Sequence, residues 1–192
     1  MTLLILGLVL LIGGHCITLM RGLRARLIAR FGEGTYKGVY SLVALAGLVL
    51  TVWGFGAYRA GGYIEVWSPP RGMSHLTLTL MLPAMILLAV FLLPAGRMKS
   101  AVQHPMLAMI KVWALAHLLA NGDLGSILLF GSFLVYAVAA RIAVKRRGTP
   151  PLPARGWTHN DALALLIGAG LYLAVLFVLH PVLFGVPALP GR

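Results

Sequence analysis

Long apolar runs dominate this chain, and short polar segments separate them. Counting runs of roughly 17 to 25 apolar residues predicts six membrane-spanning segments. A segment that crosses a bilayer must satisfy its backbone hydrogen bonds internally, so continuous runs of this length predict helices rather than the alternating strands of a barrel. The six predicted spans are Thr2–Met20, Gly38–Ala57, Ser74–Pro94, His104–Ala120, Leu124–Val144 and Ala162–Val182.

Composition agrees with this pattern. Of the 192 residues, 60% are hydrophobic and only 10% are charged, whereas a soluble domain has about 25% charged residues. The sequence therefore predicts an all-α polytopic membrane protein, a bundle of about six transmembrane helices that forms a single domain over residues 1–192. Gly47, Gly54 and Gly56 in the second span indicate that this helix packs closely against another.

The first apolar run is expected to be a retained helix. No charged segment precedes it and no clear small-residue cleavage site follows it, which argues against a removed signal peptide. The chain has one cysteine, Cys16, and it lies within this run. An intramolecular disulfide and a cysteine-based zinc site are thereby excluded.

The net charge of +12 comes mainly from the loops between the spans. We therefore predict no nucleic-acid partner. The positive-inside rule places the basic loops in the cytoplasm and both termini outside it, and these loops are expected to contact anionic membrane lipids. The basic residues on the cytoplasmic side are Arg21, Arg24, Arg26, Arg30, Lys37, Arg97, Lys99, Arg141, Lys145, Arg146, Arg147 and Arg155, and those on the other side are Arg59, Arg71 and Arg192.

The fourth span carries ionisable groups at membrane depth. Such groups are costly in a bilayer, so each one is a candidate for function. His117 shares a helical face with Trp113 and Asn121, and Asn121 could hydrogen-bond one nitrogen of its ring. His117 is then either a metal ligand or a histidine that joins two helices. Lys111 either extends to the interface or neutralises an acidic group of a bound cofactor.

The other histidines fall into two groups by depth. His75 and His180 lie near the outer ends of their spans, at a level similar to that of His117. His104 and His159 lie at inner ends, and His15 lies in the inner half of the first span, directly after two glycines. Facing imidazoles inside a helical bundle are a common way to hold haem. Zinc is less favoured because the four carboxylates, Glu33, Glu65, Asp123 and Asp161, all lie at or beyond span ends.

Several motifs resemble the NnrU family of bacterial membrane proteins, mainly over residues 1–145. They are Gly14-His15, the segment from Gly32 to Lys37, Gln103-His104-Pro105, the segment from Trp113 to His117, and Asn121-Gly122-Asp123.

The resemblance implies a protein of the bacterial inner membrane that is associated with nitrite and nitric oxide respiration. It also implies a relationship to 15-cis-zeta-carotene isomerase, a haem b enzyme. Carried over by motif, the ligand pair is His15 and His117, and His75 and His104 also match histidines of that relative. Ala114 stands where the isomerase has a cysteine, and Gln103 where an arginine is usual.

Depth favours a different second ligand. His15 and His117 differ by on the order of 13 Å along the bilayer normal, whereas His75 lies at a level closer to that of His117. We nevertheless keep His15 and His117, the pair that the resemblance implies, as the predicted ligands and His75 as the reserve.

Three functions follow from these observations. The first is a haem b protein that supports denitrification, with respiratory membrane proteins as partners. The second is a haem-dependent cis-trans isomerase of a carotenoid-like polyene, and the third is a cofactor-free membrane scaffold. Whether the protein is an enzyme stays open at this point.

Overall fold

The computed structural model describes residues 1–189 of the chain. These residues form nine α-helices and one π-helical turn. The elements are α1 (Thr2–Leu19), α2 (Arg21–Phe31), α3 (Glu33–Ala60), α4 (Met73–Leu92), α5 (Arg97–Val102), α6 (Pro105–Ala120), α7 (Leu124–Arg146), α8 (His159–Ala174), the π-helical turn (Val175–Leu179) and α9 (His180–Phe184).

The all-α membrane fold is confirmed. Five helical segments are long and apolar enough to cross a membrane, and the last of them, His159–Phe184, runs through α8, the π-helical turn and α9. The predicted fourth span is shorter than the others, because α6 has 16 residues. At 1.5 Å per residue it extends about 24 Å, which is less than the hydrocarbon core of about 30 Å.

The described residues divide into two compact units. The first unit comprises Met1–Ser68 and Asn121–Tyr136, and the second comprises Pro69–Ala120 with the described part of Ala137–Arg192. In the first unit α1 packs against α3, and small residues allow the two backbones to approach. A Cβ added at Gly47 would lie 2.6 Å from the backbone nitrogen of Leu11, and one at Gly54 would lie 2.6 Å from the carbonyl carbon of Leu3.

The glycine prediction is correct for Gly47 and Gly54 and wrong for Gly56. A Cβ added at Gly56 would meet nothing within 4 Å, because this residue lies on a different face of α3. Large apolar side chains such as Val52 and Trp53 are exposed on α3, as expected for a surface that contacts lipid rather than water.

The loop that follows α3 holds the segment from Asn121 to Asp123 in place. The backbone N–H groups of Val66 and Trp67 both donate to the carbonyl oxygen of Gly122, at 2.9 and 3.1 Å. The N–H of Leu124 donates to the carbonyl oxygen of Ile64 at 2.8 Å. These bonds satisfy backbone N–H groups of the loop and of the first residue of α7, which have no partner within a helix.

In the second unit α4 packs against both α6 and α8. Ala89 and Val90 of α4 form a buried cluster with Ala164 of α8. A Cβ added at Gly168 would lie 2.5 Å from the Cα atom of Ile86, so the absence of a side chain at Gly168 is what lets α8 approach α4 this closely.

Asp161 joins the beginning of α8 to the beginning of α5. Its carboxylate accepts hydrogen bonds from the backbone N–H groups of Arg97 and Met98, at 3.0 and 2.8 Å. It also accepts from the N–H and the hydroxyl of Thr158, at 2.8 and 3.0 Å, in a capping box. A Cβ at Gly96 would overlap this carboxylate, which explains the glycine there.

Replacing Asp161 with alanine should lower the thermal unfolding midpoint of the protein purified in detergent. The substitution leaves four donors at two helix beginnings without their acceptor. Asp161→Asn, which keeps one acceptor oxygen, should lie between alanine and the original protein. His159→Ala, an exposed change in the same turn of α8, is the matched control. A midpoint for Asp161→Ala equal to that of the control would contradict this role.

Candidate functional site

His117 lies half-buried near the end of α6. Its Nδ1 donates to the carbonyl oxygen of Trp113 at 2.8 Å, because a carbonyl can only accept. The Trp113 and His117 rings are 5.3 Å apart between centroids. Donation from Nδ1 sets the tautomer in which Nε2 carries the lone pair, which is the usual state of a metal-binding imidazole. The contact to Asn121, which follows the end of α6, stays a prediction.

Two other histidines lie toward the same end of the second unit. The hydroxyl of Thr77 in α4 donates to the carbonyl oxygen of Ala116 in α6 at 2.7 Å. The beginning of α4, which contains His75, is therefore level with the end of α6. Since Asp161 fixes the beginning of α8 beside α5, which follows α4 in the chain, α8 runs antiparallel to α4.

His180 therefore lies at the end of the second unit that holds His75. It is within electrostatic range of His117, and its Nδ1 donates to the carbonyl oxygen of Val186 at 2.7 Å. The sequence predicted that His180 lies level with His117 but did not make it a candidate ligand. The available signal was Pro181, which cannot donate a backbone hydrogen bond and follows the π-helical turn Val175–Leu179. Such turns are frequent at functional sites.

Basic residues, His104 and His159 lie at the opposite end of the second unit. The Lys99 ammonium donates to the carbonyl oxygens of Phe91 and Leu93, both at 2.8 Å, and so caps α4. His104 lies between α5 and α6. Burial lowers the pKa of its imidazole, and the positive charge of Arg141 lowers it further. Both effects favour the neutral form of the His104 imidazole.

Gln103 fixes the linker that follows α7. Its side-chain oxygen accepts from the N–H of Leu152 at 2.6 Å, and its side-chain nitrogen donates to the Leu152 carbonyl at 3.2 Å. Its φ of 66° allows the turn between α5 and α6. The amide thus makes a structural contact with both a donor and an acceptor, which a guanidinium cannot do because it only donates.

His15 lies in the first unit, half-buried in α1. Its Nδ1 donates to the carbonyl oxygen of Leu11 at 2.7 Å, the same arrangement as at His117. Its ring lies 5.5 Å from that of Tyr40 and 5.8 Å from that of Tyr136, between centroids. His15 and His117 belong to different units, and their pairing stays a prediction.

The donor chemistry of these histidines fits an axial haem ligand. His15, His117 and His180 each donate from Nδ1 to a backbone carbonyl, so each presents Nε2 as the basic nitrogen. Within residues 1–189, no group of three or more His, Cys, Asp or Glu side chains could hold a metal ion. A group held by one or two imidazoles is compatible with this arrangement.

The sequence comparisons decide the family. The chain matches the family described as NnrU protein over residues 3–188. It belongs to the NnrU family. The match extends well beyond residues 1–145, where the motifs are concentrated, and so includes α8, the π-helical turn and His180. No curated protein matched this NnrU chain, and no solved structure did.

Ala114 is completely buried in α6, with 0% of its surface exposed. Its methyl group offers no atom that could bind iron. Lys111 lies half-buried on the same helix and precedes both Ala114 and His117 in the chain.

Proposed function

We propose that this NnrU protein binds haem b in the bacterial inner membrane, with His117 as an axial ligand, and supports nitrite and nitric oxide respiration. The observation that carries the proposal is the half-buried imidazole of His117 in an apolar helix, with Nδ1 held by the Trp113 carbonyl. An ionisable ring at this depth is costly unless it serves a site. The respiratory role rests on family membership.

The residues around the iron would control how it reacts. Haem b would supply a redox-active iron able to bind nitric oxide. Trp113 would orient the His117 ring, and the apolar helices would exclude water, which tunes the potential of such a group. This fits a sensor of nitrogen oxides or an accessory to respiratory membrane proteins better than an enzyme with its own substrate.

Two further imidazoles are candidates for holding the haem together with His117. His15 is the partner that the family resemblance implies. His75 has independent support, because the Thr77–Ala116 hydrogen bond brings the beginning of α4 level with the end of α6. Of the two, His75 lies within the same unit as His117.

Isomerisation of a polyene has less support. The family's isomerase relative carries a cysteine near its ligand, and this chain has a buried alanine, Ala114, at that position. The arginine position is occupied by Gln103, which holds the linker. Conversion of a poly-cis carotenoid by the reduced protein would overturn this preference.

Absorption spectra of purified single variants test the second ligand. Removing the imidazole that holds the haem together with His117 should keep the haem but change a low-spin spectrum into a high-spin one. We expect this change for either His15→Ala or His75→Ala, and an unchanged spectrum for His159→Ala, an exposed histidine in the first turn of α8. Low-spin spectra in both of the first two variants would refute both assignments.

Nitric oxide binding tests the respiratory role separately. Adding nitric oxide to the reduced protein under anaerobic conditions should shift its Soret band, because an iron that senses this gas must bind it. A haem-loaded protein whose spectrum does not respond would contradict a sensing role and leave haem binding intact.

We also propose that the basic linker after α7 faces the cytoplasm. In a Cys16→Ser background, Arg146→Cys should resist an impermeant maleimide that is added from the periplasmic side. Arg71→Cys, in the exposed loop before α4, should react with it and serves as the control. Labelling at position 146 with protection at position 71 would reverse the proposed orientation.

A further inference from the structure

A cavity in the first unit lies between α1, α2 and α3. It has a volume of ≈ 320 Å³ and is lined mainly by apolar residues, among them Ile17, Leu27, Phe31, Val39 and Val43. An apolar cavity of about 150 Å³ accommodates benzene. The cavity here is therefore large enough for a length of hydrocarbon chain.

One polar atom at this cavity lacks a partner. The hydroxyl of Tyr36, a lining residue, is buried and makes no hydrogen bond within the described part of the chain. A buried hydroxyl without a partner is unfavourable by about 1–3 kcal/mol, and such a group in a native structure calls for an explanation, such as an ordered water or ion.

Positive charge surrounds the same tyrosine. The guanidinium carbon of Arg24 lies 5.8 Å from the centre of the Tyr36 ring. Arg24 belongs to α2, which also carries Arg21, Arg26 and Arg30 and has no acidic residue. The nearest carboxylate, Glu33, pairs with Lys37 at 2.9 Å. The net field at Tyr36 therefore favours an anion.

Helix α2 also has the form of an interfacial helix. Leu23, Leu27 and Ile28 are half-buried, whereas Arg21 and Arg26 are exposed. A helix with one apolar and one basic face lies at the boundary of headgroups and acyl chains. That is the depth at which a phosphate and the first part of an acyl chain are found together.

We infer that this cavity binds an anionic phospholipid. One acyl chain occupies the apolar space between α1, α2 and α3. The phosphate lies beside the basic residues of α2, where Arg24 balances its negative charge. This site is independent of haem binding, and lipid and haem are measured by different signals.

Native mass spectrometry of the purified full-length chain tests the site. Phosphatidylglycerol and phosphatidylcholine with identical acyl chains are the probes. We expect one phosphatidylglycerol to bind at least tenfold more tightly than phosphatidylcholine. Arg24→Gln should lower the affinity for phosphatidylglycerol about fivefold and leave the affinity for phosphatidylcholine unchanged. Arg59→Gln, an exposed arginine at the other end of α3, is the charge control.

Two neighbouring glycines provide a matched pair for the cavity itself. Gly14 lines the cavity, and a Cβ there meets only the side chain of Val43, at 3.8 Å. Gly14→Leu should fill the cavity and lower the affinity for both lipids. A Cβ at Gly13 meets nothing within 4 Å, so Gly13→Leu should bind both lipids normally.

Three results would overturn the inference. They are equal affinity for the two lipids, unchanged binding in Gly14→Leu, and a co-purified isoprenoid quinone that phosphatidylglycerol does not displace. If Gly14→Leu does not fold, Arg24→Gln still decides the question, because it changes the charge without changing the apolar lining.

Discussion

Gly122→Ala is expected to lower the free energy of unfolding by about 3 kcal/mol. A Cβ at this position would overlap the carbonyl oxygen of Trp67, so the loop before α4 must move away. That movement breaks the bonds from Val66 and Trp67 to Gly122 and strains the bond from Leu124 to Ile64. Each lost bond contributes about 1 kcal/mol.

A titration with sodium dodecyl sulfate, followed by circular dichroism, measures this change. Gly131→Ala is the matched control, since a Cβ there meets nothing within 4 Å. Because Gly131 lies in a helix interior, the free energy of unfolding of this control should be unchanged or higher by about 0.5–1 kcal/mol. Equal unfolding midpoints for the two variants would refute the contact between Gly122 and the loop.

Gly54→Ala is expected to separate α1 from α3 and to lower the free energy of unfolding by about 1–3 kcal/mol, the range found for overpacked interfaces. The added carbon would meet the backbone of Leu3 and Leu4, and a backbone cannot yield as a flexible side chain can. Helices in lipid depend on this close packing, because the membrane supplies no hydrophobic force between them.

Gly56→Ala is the control on the same helix, only two residues away. Its Cβ would meet nothing within 4 Å, so it should not destabilise the protein. The same detergent titration compares the two variants. If Gly56→Ala lost as much stability as Gly54→Ala, the effect would lie in the helix itself and not in the contact with α1.

The apolar runs predicted the helices well because backbone hydrogen bonding in a membrane leaves few alternatives. The close packing of α3 at Gly47 and Gly54 could also be predicted from the sequence, since small residues permit two helices to approach. The sequence could not separate them from Gly56, because the contact face of α3 depends on how α1 crosses it. The length of α6 was overestimated by including His104, which precedes the first helical residue, Pro105.

Part of the candidate site could be predicted from the sequence. The level shared by His75, His117 and His180 follows from helix rise alone, and the Thr77–Ala116 bond agrees with the shared level of His75 and His117. The backbone carbonyls that hold the imidazoles were not predicted, since an asparagine was expected beside His117. A ring nitrogen that bonds the carbonyl four residues earlier depends on rotamer choice, which periodicity does not specify. The Tyr36 cavity was missed because it arises from the break between α1 and α2 at Met20.

The absorption spectrum of the protein purified with adequate haem supply, compared with His117→Ala, tests the central proposal most directly. His104→Ala, at the other end of α6, is the matched control. We predict a Soret band with stoichiometric haem in the original protein and in the control, and its loss in His117→Ala. No Soret band in the original protein, or stoichiometric haem retained in His117→Ala, would contradict the proposal.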